Sequence, residues 1–417
     1  MKGVFIMDRL LRSHADTVIS SAINAVKPDE AVKRALTGQN FTGRVLLVSA
    51  GKAAWQMAKA AHDCLGDIIE RGIVITKYGH VMGNIDNVEC CEAGHPVPDE
   101  NSFSATRKAL DMVQGLNADD TVLFLLSGGG SALFEKPLVP GAVLQDITGQ
   151  LLACGADIVE INTIRKRLSA VKGGRFAQLC APARVFSIVL SDILGDPLDM
   201  IASGPACPDS STCADALAIA GKYGLRLTEE AERCLHTETP KKLDNVTTQI
   251  TGSVRELCTA AASACRTLGY EPVILTDRMC CQAKEAGSFL ASILRTHAGS
   301  GKPLAFIAGG ETVVCLTGHG KGGRNQEIAL AAAAGIDGLE GAAVFSVGSD
   351  GTDGPTDAAG GYADGETAAE LRAAGWDIYS TLYDNDAYHA LKDVDGLIIT
   401  GPTGTNVNDV AVAMLRG

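Results

Sequence analysis

No run of about eighteen apolar residues occurs in the 417-residue chain, and no long apolar core follows a basic start near its beginning. Neither a membrane span nor a secretory leader is therefore expected. Positive charge is also scarce. Against 49 Asp and Glu stand 36 Lys and Arg, a net charge of −13, which argues against nucleic acid or an anionic membrane as the main partner. The 13 cysteines include no C-x-x-C, only the adjacent pairs Cys90-Cys91 and Cys280-Cys281, so a metal cluster or a redox dithiol is not indicated. In a large chain without a leader they read as reduced thiols of a cytoplasmic protein, most of them serving as small buried apolar residues. Internal repeats and low-complexity segments are missing too.

What is present is a chain with 46% hydrophobic residues, 20% charged residues and 47 glycines, the make-up of a packed α/β protein. Its length exceeds one compact core and predicts two or three domains. The polar stretch His236–Asn245, with Pro240, Lys241 and Lys242, is the best boundary and suggests domains 1–240 and 241–417. Residues 13–36 are expected to be helical, with Pro28 beginning a second turn of helix. Strands are expected at 44–49, 72–77, 88–92, 121–126 and 185–190, then at 247–250, 272–276, 304–308, 343–348 and 395–400.

Several strand ends carry chemistry. The apolar run Arg44–Ser49 empties into Ala50-Gly51-Lys52 before a helix, and a lysine at a helix start is repelled by the dipole unless an anion joins it. The longer G-x-x-x-x-G-K-[ST] of a Walker loop is not there. Next, TVLFLLSGGGSALF ends a strand in Ser127, Gly128, Gly129 and Gly130, with Ser131 opening a helix; three consecutive glycines suit a phosphate chain lying on bare backbone N–H groups. Gly94-His95-Pro96 holds a histidine near another strand end. The stretch GGETVVCLTGHGKGGRNQEIAL, from Gly309 to Leu330, places Lys321 and Arg324 in a glycine loop, with Asn325 as the expected cap of the helix that follows. Uncovered N–H groups there would make an anion site. At helical spacing Arg165, Ser169 and Lys172 share one face. Acids occupy the same sheet edges: Asp192 and Asp196 after the fifth strand, a combination that suits magnesium carried in with phosphates, and Asp350, Asp353 and Asp357 among glycines, too short and wrongly spaced a set for an EF-hand but hard oxygen ligands at a strand end again. Lastly, Gly404, Thr405, Asn406 and Asn408 are expected to open a closing helix.

In order, GKAAWQMAKA, SGGGSALF, NTIRKRLSAVKGGRFA, SDILGDPLDMIASGP, GGETVV, GKGGRNQE, SDGTDGPTDAAG and TGPTGTNVND resemble the motifs of the class II glycerate kinases, over nearly the whole chain. The resemblance implies an N-terminal Rossmann-like α/β domain with helices on both faces, a smaller C-terminal α/β domain of the MOFRL type, and an active site in the cleft between them. It implies ATP-dependent phosphorylation of D-glycerate at the 2-hydroxyl to give 2-phosphoglycerate, with ATP and Mg2+ as cofactors. Lys52 and Arg324 are the residues it implicates in catalysis. Ser127, Gly128, Gly129, Gly130, Ser131, Arg165, Lys172, Glu311, Asn325 and Asn408 are those for substrate or nucleotide, and Asp192, Asp350 and Asp353 those for metal. The partners implied are glycerate and ATP, with no nucleic acid and no membrane, and a homodimer is compatible with the reading. Two enzymatic alternatives are a kinase for a related sugar acid and an NAD(P)H-dependent hydroxypyruvate reductase. The reductase would need a G-x-G-x-x-G turn after the first strand, where the chain reads AGKAAWQM. A third alternative, a sugar-acid or nucleotide sensor without turnover, leaves two phosphate-type loops and several acids in excess.

Overall fold

The computed structural model describes residues 8–417. It divides into two compact units, Pro28–Thr251 and the residues up to Lys27 together with Gly252–Gly417. Each is built on one six-stranded sheet.

In the unit Pro28–Thr251 the strands are β1 (Val45–Ala50), β2 (Ile69–Lys77), β3 (Val88–Ala93), β4 (Thr121–Leu126), β5 (Arg184–Leu190) and β6 (Val246–Gly252). Their order is β3-β2-β1-β4-β5-β6, and β1 to β5 run parallel. Leu46, Val48 and Ala50 of β1 pack in one core with helices Glu100–Met112 and Arg175–Cys180, while Val45 and Leu47 pack in another with helices Pro28–Leu36 and Ala54–Leu65. Both faces are covered, which is why β1 and β4 are continuous apolar runs rather than alternating ones. The chain winds outward from β1 to β3 and then returns to the other side of β1 as β4. Such a reversal opens a crevice at the carboxyl ends of the two strands.

The second sheet contains β7 (Glu271–Met279), β8 (Leu304–Gly310), β9 (Ala342–Gly348), β10 (Gly360–Asp364), β11 (Leu397–Ile398) and β12 (Asp409–Leu415), in the order β11-β10-β9-β12-β8-β7. Strand β7 is parallel to β8, and β12 lies antiparallel between β8 and β9. Helix Arg324–Gly335 is buried from Asn325 to Ala333, and from Ile328 onward its residues are apolar all round because they are covered on every side. Ile328 and Ala332 join the core over β8, β9 and β12, while Ala329, Leu330 and Ala333 face helices Thr367–Ala374, Ile378–Tyr383 and Ala387–Asp393.

Four features differ from the sequence reading. The expected closing helix is strand β12, whose seven residues are all buried; a short apolar run suits a central strand as well as a buried helix, and periodicity alone does not separate them. The helical spacing expected to bring Arg165, Ser169 and Lys172 onto one face does not hold, because the helix that carries Arg165 ends at Arg167. Strand β10 and the three short helices around Thr367–Asp393 carry no strong periodic signal and were not anticipated. Finally, the division does not fall at 240/241, because β6 completes the first sheet and helix Arg9–Ala25 packs on helix Val254–Thr267 of the second unit.

Candidate active site

The exits of β1 and β4 are stitched together. The Lys52 N–H donates to the Gly128 carbonyl at 2.8 Å, Ala53 N–H to Ser127 Oγ at 3.1 Å, and Ser127 N–H to the Ala50 carbonyl at 3.0 Å. Thr76 Oγ1 and His80 Nδ1 lie 3.3 and 3.0 Å from the Lys52 carbonyl and fix its backbone from β2 and the loop beyond. The glycines are here for room. A methyl group on Gly128 would lie 2.3 Å from Asp192 Oδ2, and one on Gly129, whose φ is +84°, would lie 3.0 Å from the His95 ring and 3.2 Å from Lys52 Cγ. Lys52, His95 and Asp192 thus converge on one loop from the ends of β1, β3 and β5. Among the described residues no carboxylate stands within ion-pair reach of the Lys52 ammonium. A cation at a helix start, held by its backbone and unpaired, is an anion site in waiting.

The next layer holds this loop rather than a ligand. Ser131 Oγ pairs with Ser203 Oγ at 3.0 Å, and Ser203 donates to Asn162 Oδ1 at 2.9 Å. Arg165 Nη2 donates to the Ser131 carbonyl at 3.0 Å. Lys172 is fully buried, and its ammonium donates to the carbonyls of Ser131 (2.8 Å) and Phe134 (3.2 Å) and pairs with Glu135 at 3.0 Å. Its two hydrogen bonds and its ion pair all go to the protein itself. Burial pulls its pKa down to about 8 against the pull of Glu135. Substrate contact through Lys172 is therefore corrected to a supporting role: with Arg165 it satisfies the carbonyls at the end of the short helix Gly130–Leu133.

In the second unit the glycine loop after β8 is not bare. Thr317 and Gly318 N–H donate to Asn385 Oδ1 at 2.8 and 3.0 Å, His319 N–H to Asp384 Oδ1 at 3.1 Å, Gly320 N–H to the Asp384 carbonyl at 2.8 Å, and Lys321 N–H to Asp386 Oδ1 at 3.0 Å. Methyl groups on Gly318 and Gly320 would come within 2.3 and 2.4 Å of Asp384 and Asp386. Lys321 lays its ammonium 4.5 Å over the Tyr388 ring. The expected open anion cradle is thus filled by the chain's own Asp384-Asn385-Asp386.

The helix start beside it is filled as well. Gly323, not Asn325, is the N-cap residue, and the buried Asp353 carboxylate takes the free N–H groups, with Oδ1 accepting from Asn325 N–H (3.2 Å) and Nδ2 (3.3 Å), and Oδ2 from Gln326 N–H and Nε2 (both 2.9 Å). Burial outweighs these bonds and pushes the Asp353 pKa up to about 6, from an ordinary 3.8. A raised folded pKa means that the folded state holds this proton more tightly, so the stability linked to it is present below the ordinary value and is lost as pH rises through about 6. The melting temperature of wild type minus that of Asp353→Asn should therefore fall between about pH 4 and about pH 7. A difference that grew with pH would mean that the helix end stabilises the anion more than burial penalises it.

Arg324 opens this helix with its fork around Asp409. Nε and Nη2 reach Asp409 Oδ2 and Oδ1 at 2.5 and 3.1 Å, and Nη1 reaches Glu311 Oε1 at 3.0 Å. Burial works against its charge, but the hydrogen bonds and charge of Asp409 prevail and raise its pKa. Three of the five guanidinium N–H groups are taken, leaving two. Asn325 is buried, accepting from Ser346 Oγ at 2.5 Å. Asn408, at φ +67°, accepts the Ser349 N–H on its carbonyl at 3.0 Å. Asp409 is the member of this cluster that the sequence reading passed over, and its only signal was its place beside Asn408.

The donor set for a metal is uneven. Asp353 is saturated by N–H groups, and Asp350 Oδ1 accepts from Thr352 N–H and Oγ1 at 2.9 and 3.0 Å in a local turn. Among the described residues no group of three or more His, Cys, Asp or Glu could hold a metal ion. Asp192, beside the glycine loop, fits the other mode of magnesium binding, in which one carboxylate and substrate phosphates share the ion with water. Among the described residues no helix is long and apolar enough to cross a membrane.

Comparison with known proteins places this geometry among relatives. Residues 14–236 match the family model described as a domain of unknown function (DUF4147), and residues 304–409 match the MOFRL family. The D-glycerate 2-kinase of Thermotoga maritima is 53% identical over 411 residues, covering 97% of this chain and 98% of that protein. The glycerate 2-kinase of Pyrococcus horikoshii is 40% identical, covering 95% and 96%. A crystal structure of glycerate kinase from Thermotoga maritima superposes with a TM-score of 0.93 over 97% of this chain and 99% of that one. Two relatives from Agrobacterium vitis, at 38% and 39% identity, carry a provisional hydroxypyruvate reductase name.

Proposed function

The chain belongs to the glycerate kinase family built from the DUF4147 and MOFRL regions, and we propose that it transfers the γ-phosphoryl group of ATP to the 2-hydroxyl of D-glycerate, giving 2-phosphoglycerate and ADP. The observation that carries the reading is the unpaired Lys52 ammonium beside the Ser127–Ser131 loop at the reversal point of the first sheet. Phosphoryl transfer asks a protein mainly to position negative charge and to neutralise it. The Gly128–Gly130 backbone receives the phosphate chain, and Lys52 meets the equatorial oxygens of the group in flight. Arg165 and Lys172 hold the loop from behind. In the second unit Arg324, fixed by Asp409 and Glu311, keeps two N–H groups for an oxyanion.

Asp192 is the residue we assign to magnesium. When bound, the ion neutralises phosphate oxygens as a Lewis acid. Asp192→Asn should need more magnesium to reach half-maximal rate, on the order of tenfold, because a ligand charge is lost. An unchanged magnesium titration curve would return Asp192 to a structural role.

Incubation of the purified protein with ATP and D-glycerate, with phosphorus NMR of the product, tests the function. A resonance of 2-phosphoglycerate with stoichiometric ADP is the expected result. Oxidation of NADH by hydroxypyruvate without phosphorylation would support the reductase, and the missing G-x-G-x-x-G turn after β1 speaks against that outcome. A higher kcat/KM with another sugar acid would reassign the acceptor while keeping the kinase.

A further inference from the structure

His95 is the one side chain at the glycine loop to which the reading above gives no task. It lies in the turn after β3, and the edge of its ring carrying Nε2 and Cδ2 lies 3.0 Å from where a methyl group on Gly129 would sit, on the spot that Lys52 Cγ approaches to 3.2 Å. The ring is half-buried and makes no hydrogen bond to another described residue. An imidazole that packs against a phosphate-type loop and spends neither nitrogen on the protein has one available for a ligand.

We propose that His95 is a catalytic residue of the transfer, whose Nε2 accepts the hydrogen bond and then the proton of the glycerate 2-hydroxyl. The proposal rests on the reading that the Ser127–Ser131 loop receives the transferred phosphoryl group. In the step, the hydroxyl oxygen forms its bond to the γ-phosphorus while the bond from that phosphorus to the β,γ-bridging oxygen breaks, and its electron pair leaves on ADP. The hydroxyl proton passes to His95 and from the imidazolium to solvent. No further reactant is needed.

The surroundings keep the ring ready to accept. Burial lowers its pKa first, and Lys52 after β1, Lys77 at the end of β2 and His80 in the following loop lower it further, while Asp192 after β5 opposes them. The ring is thus neutral at pH values where an ordinary histidine is partly charged. Lys52 has two effects in this arrangement. It attracts the phosphoryl oxygens, and it discourages a proton on the neighbouring imidazole until the acceptor hydroxyl supplies one.

His95→Gln keeps the size and hydrogen-bonding capacity but cannot take up a proton, and His95→Ala opens a space for free imidazole. Both should lower kcat by on the order of a hundredfold or more, the usual contribution of a positioned general base, with the KM for ATP changed by less than about threefold. The acid limb of the wild-type kcat/KM profile, set by His95, should vanish in His95→Gln, and imidazole should restore part of the rate of His95→Ala. Melting curves of both variants verify that they fold. Full activity in His95→Gln, or a loss with no imidazole rescue and an unchanged pH profile, would overturn the proposal and leave His95 as loop packing. A wild-type protein that makes no 2-phosphoglycerate would instead sink the underlying kinase reading, and this inference with it.

Discussion

Lys52→Ala is expected to reduce turnover with ATP and glycerate by on the order of a hundredfold or more, while the melting temperature stays close to that of wild type. The expectation follows from how Lys52 is held. Its backbone belongs to the structure, through the 2.8 Å bond to Gly128 and the bonds its carbonyl accepts from Thr76 and, through the ring nitrogen, His80. Alanine keeps all of these. Its ammonium, by contrast, has no protein carboxylate among the described residues to answer to, so its removal leaves nothing in the fold unpaired. The change should therefore show as lost stabilisation of charge in the transition state, with kcat and kcat/KM falling together. Near-native turnover in the alanine variant would take Lys52 out of the reaction, and a large fall in melting temperature would mean that the side chain has a structural partner.

Arg324 should behave in the opposite way, with activity and stability falling together. Its fork spans both oxygens of the buried Asp409 and reaches Glu311 as well. Lysine keeps the charge but offers one point where three directed N–H groups are needed. Arg324→Lys should lose about tenfold to a hundredfold in kcat/KM, and Arg324→Ala more. Alanine also leaves Asp409 buried and unpaired, a loss of up to roughly 3 kcal/mol once partial exposure of the arginine is allowed for. Steady-state kinetics with each substrate varied would identify the oxyanion. A defect confined to the glycerate KM assigns the two remaining N–H groups to the carboxylate, whereas a fall in kcat with both KM values unchanged assigns them to the phosphoryl group, the outcome expected here. Variants with wild-type kinetics and stability would reduce the cluster to surface electrostatics.

The contrast between these residues also marks what could be read from the chain. The exit of β1 was legible because strand, glycine, lysine and helix follow one another directly, and the reversal of strand order places the same element beside SGGGS. The loop after β8 was misread for a physical reason. Backbone N–H groups in a glycine turn accept a phosphate or a carboxylate on equal terms, and nothing near Gly318 or Gly320 announces that Asp384, Asn385 and Asp386 will arrive from more than sixty residues away. Asp353 was recognised as an acid at a strand end, but its four donors all come from the helix beginning at Arg324. Lys172 was recognised as a cation beside glycines, although burial turns it inward to Glu135 and two carbonyls. In each case the chemistry of the residue was right and its partner was wrong, because the choice between a ligand and a distant part of the chain is made by tertiary structure.

The placement of β12 bears on the order in which the polypeptide can acquire its form. Its neighbours β8 and β9 both precede it in the chain, and they are joined in the sheet only through β12, which lies between them. Helix Arg9–Ala25, made first, packs on helix Val254–Thr267 and so waits on the ribosome while the whole of Pro28–Thr251 is synthesised. That intervening unit has its own closed set of strands and cores and can condense as it emerges, at translation speeds that allow tens of seconds for the remainder. The glycine loop carrying Lys52 would then be assembled before the sheet carrying Arg324 has received its central strand. Nascent chains would thus pass through a stage with the Ser127–Ser131 loop formed and the second sheet still without the strand that joins β8 to β9.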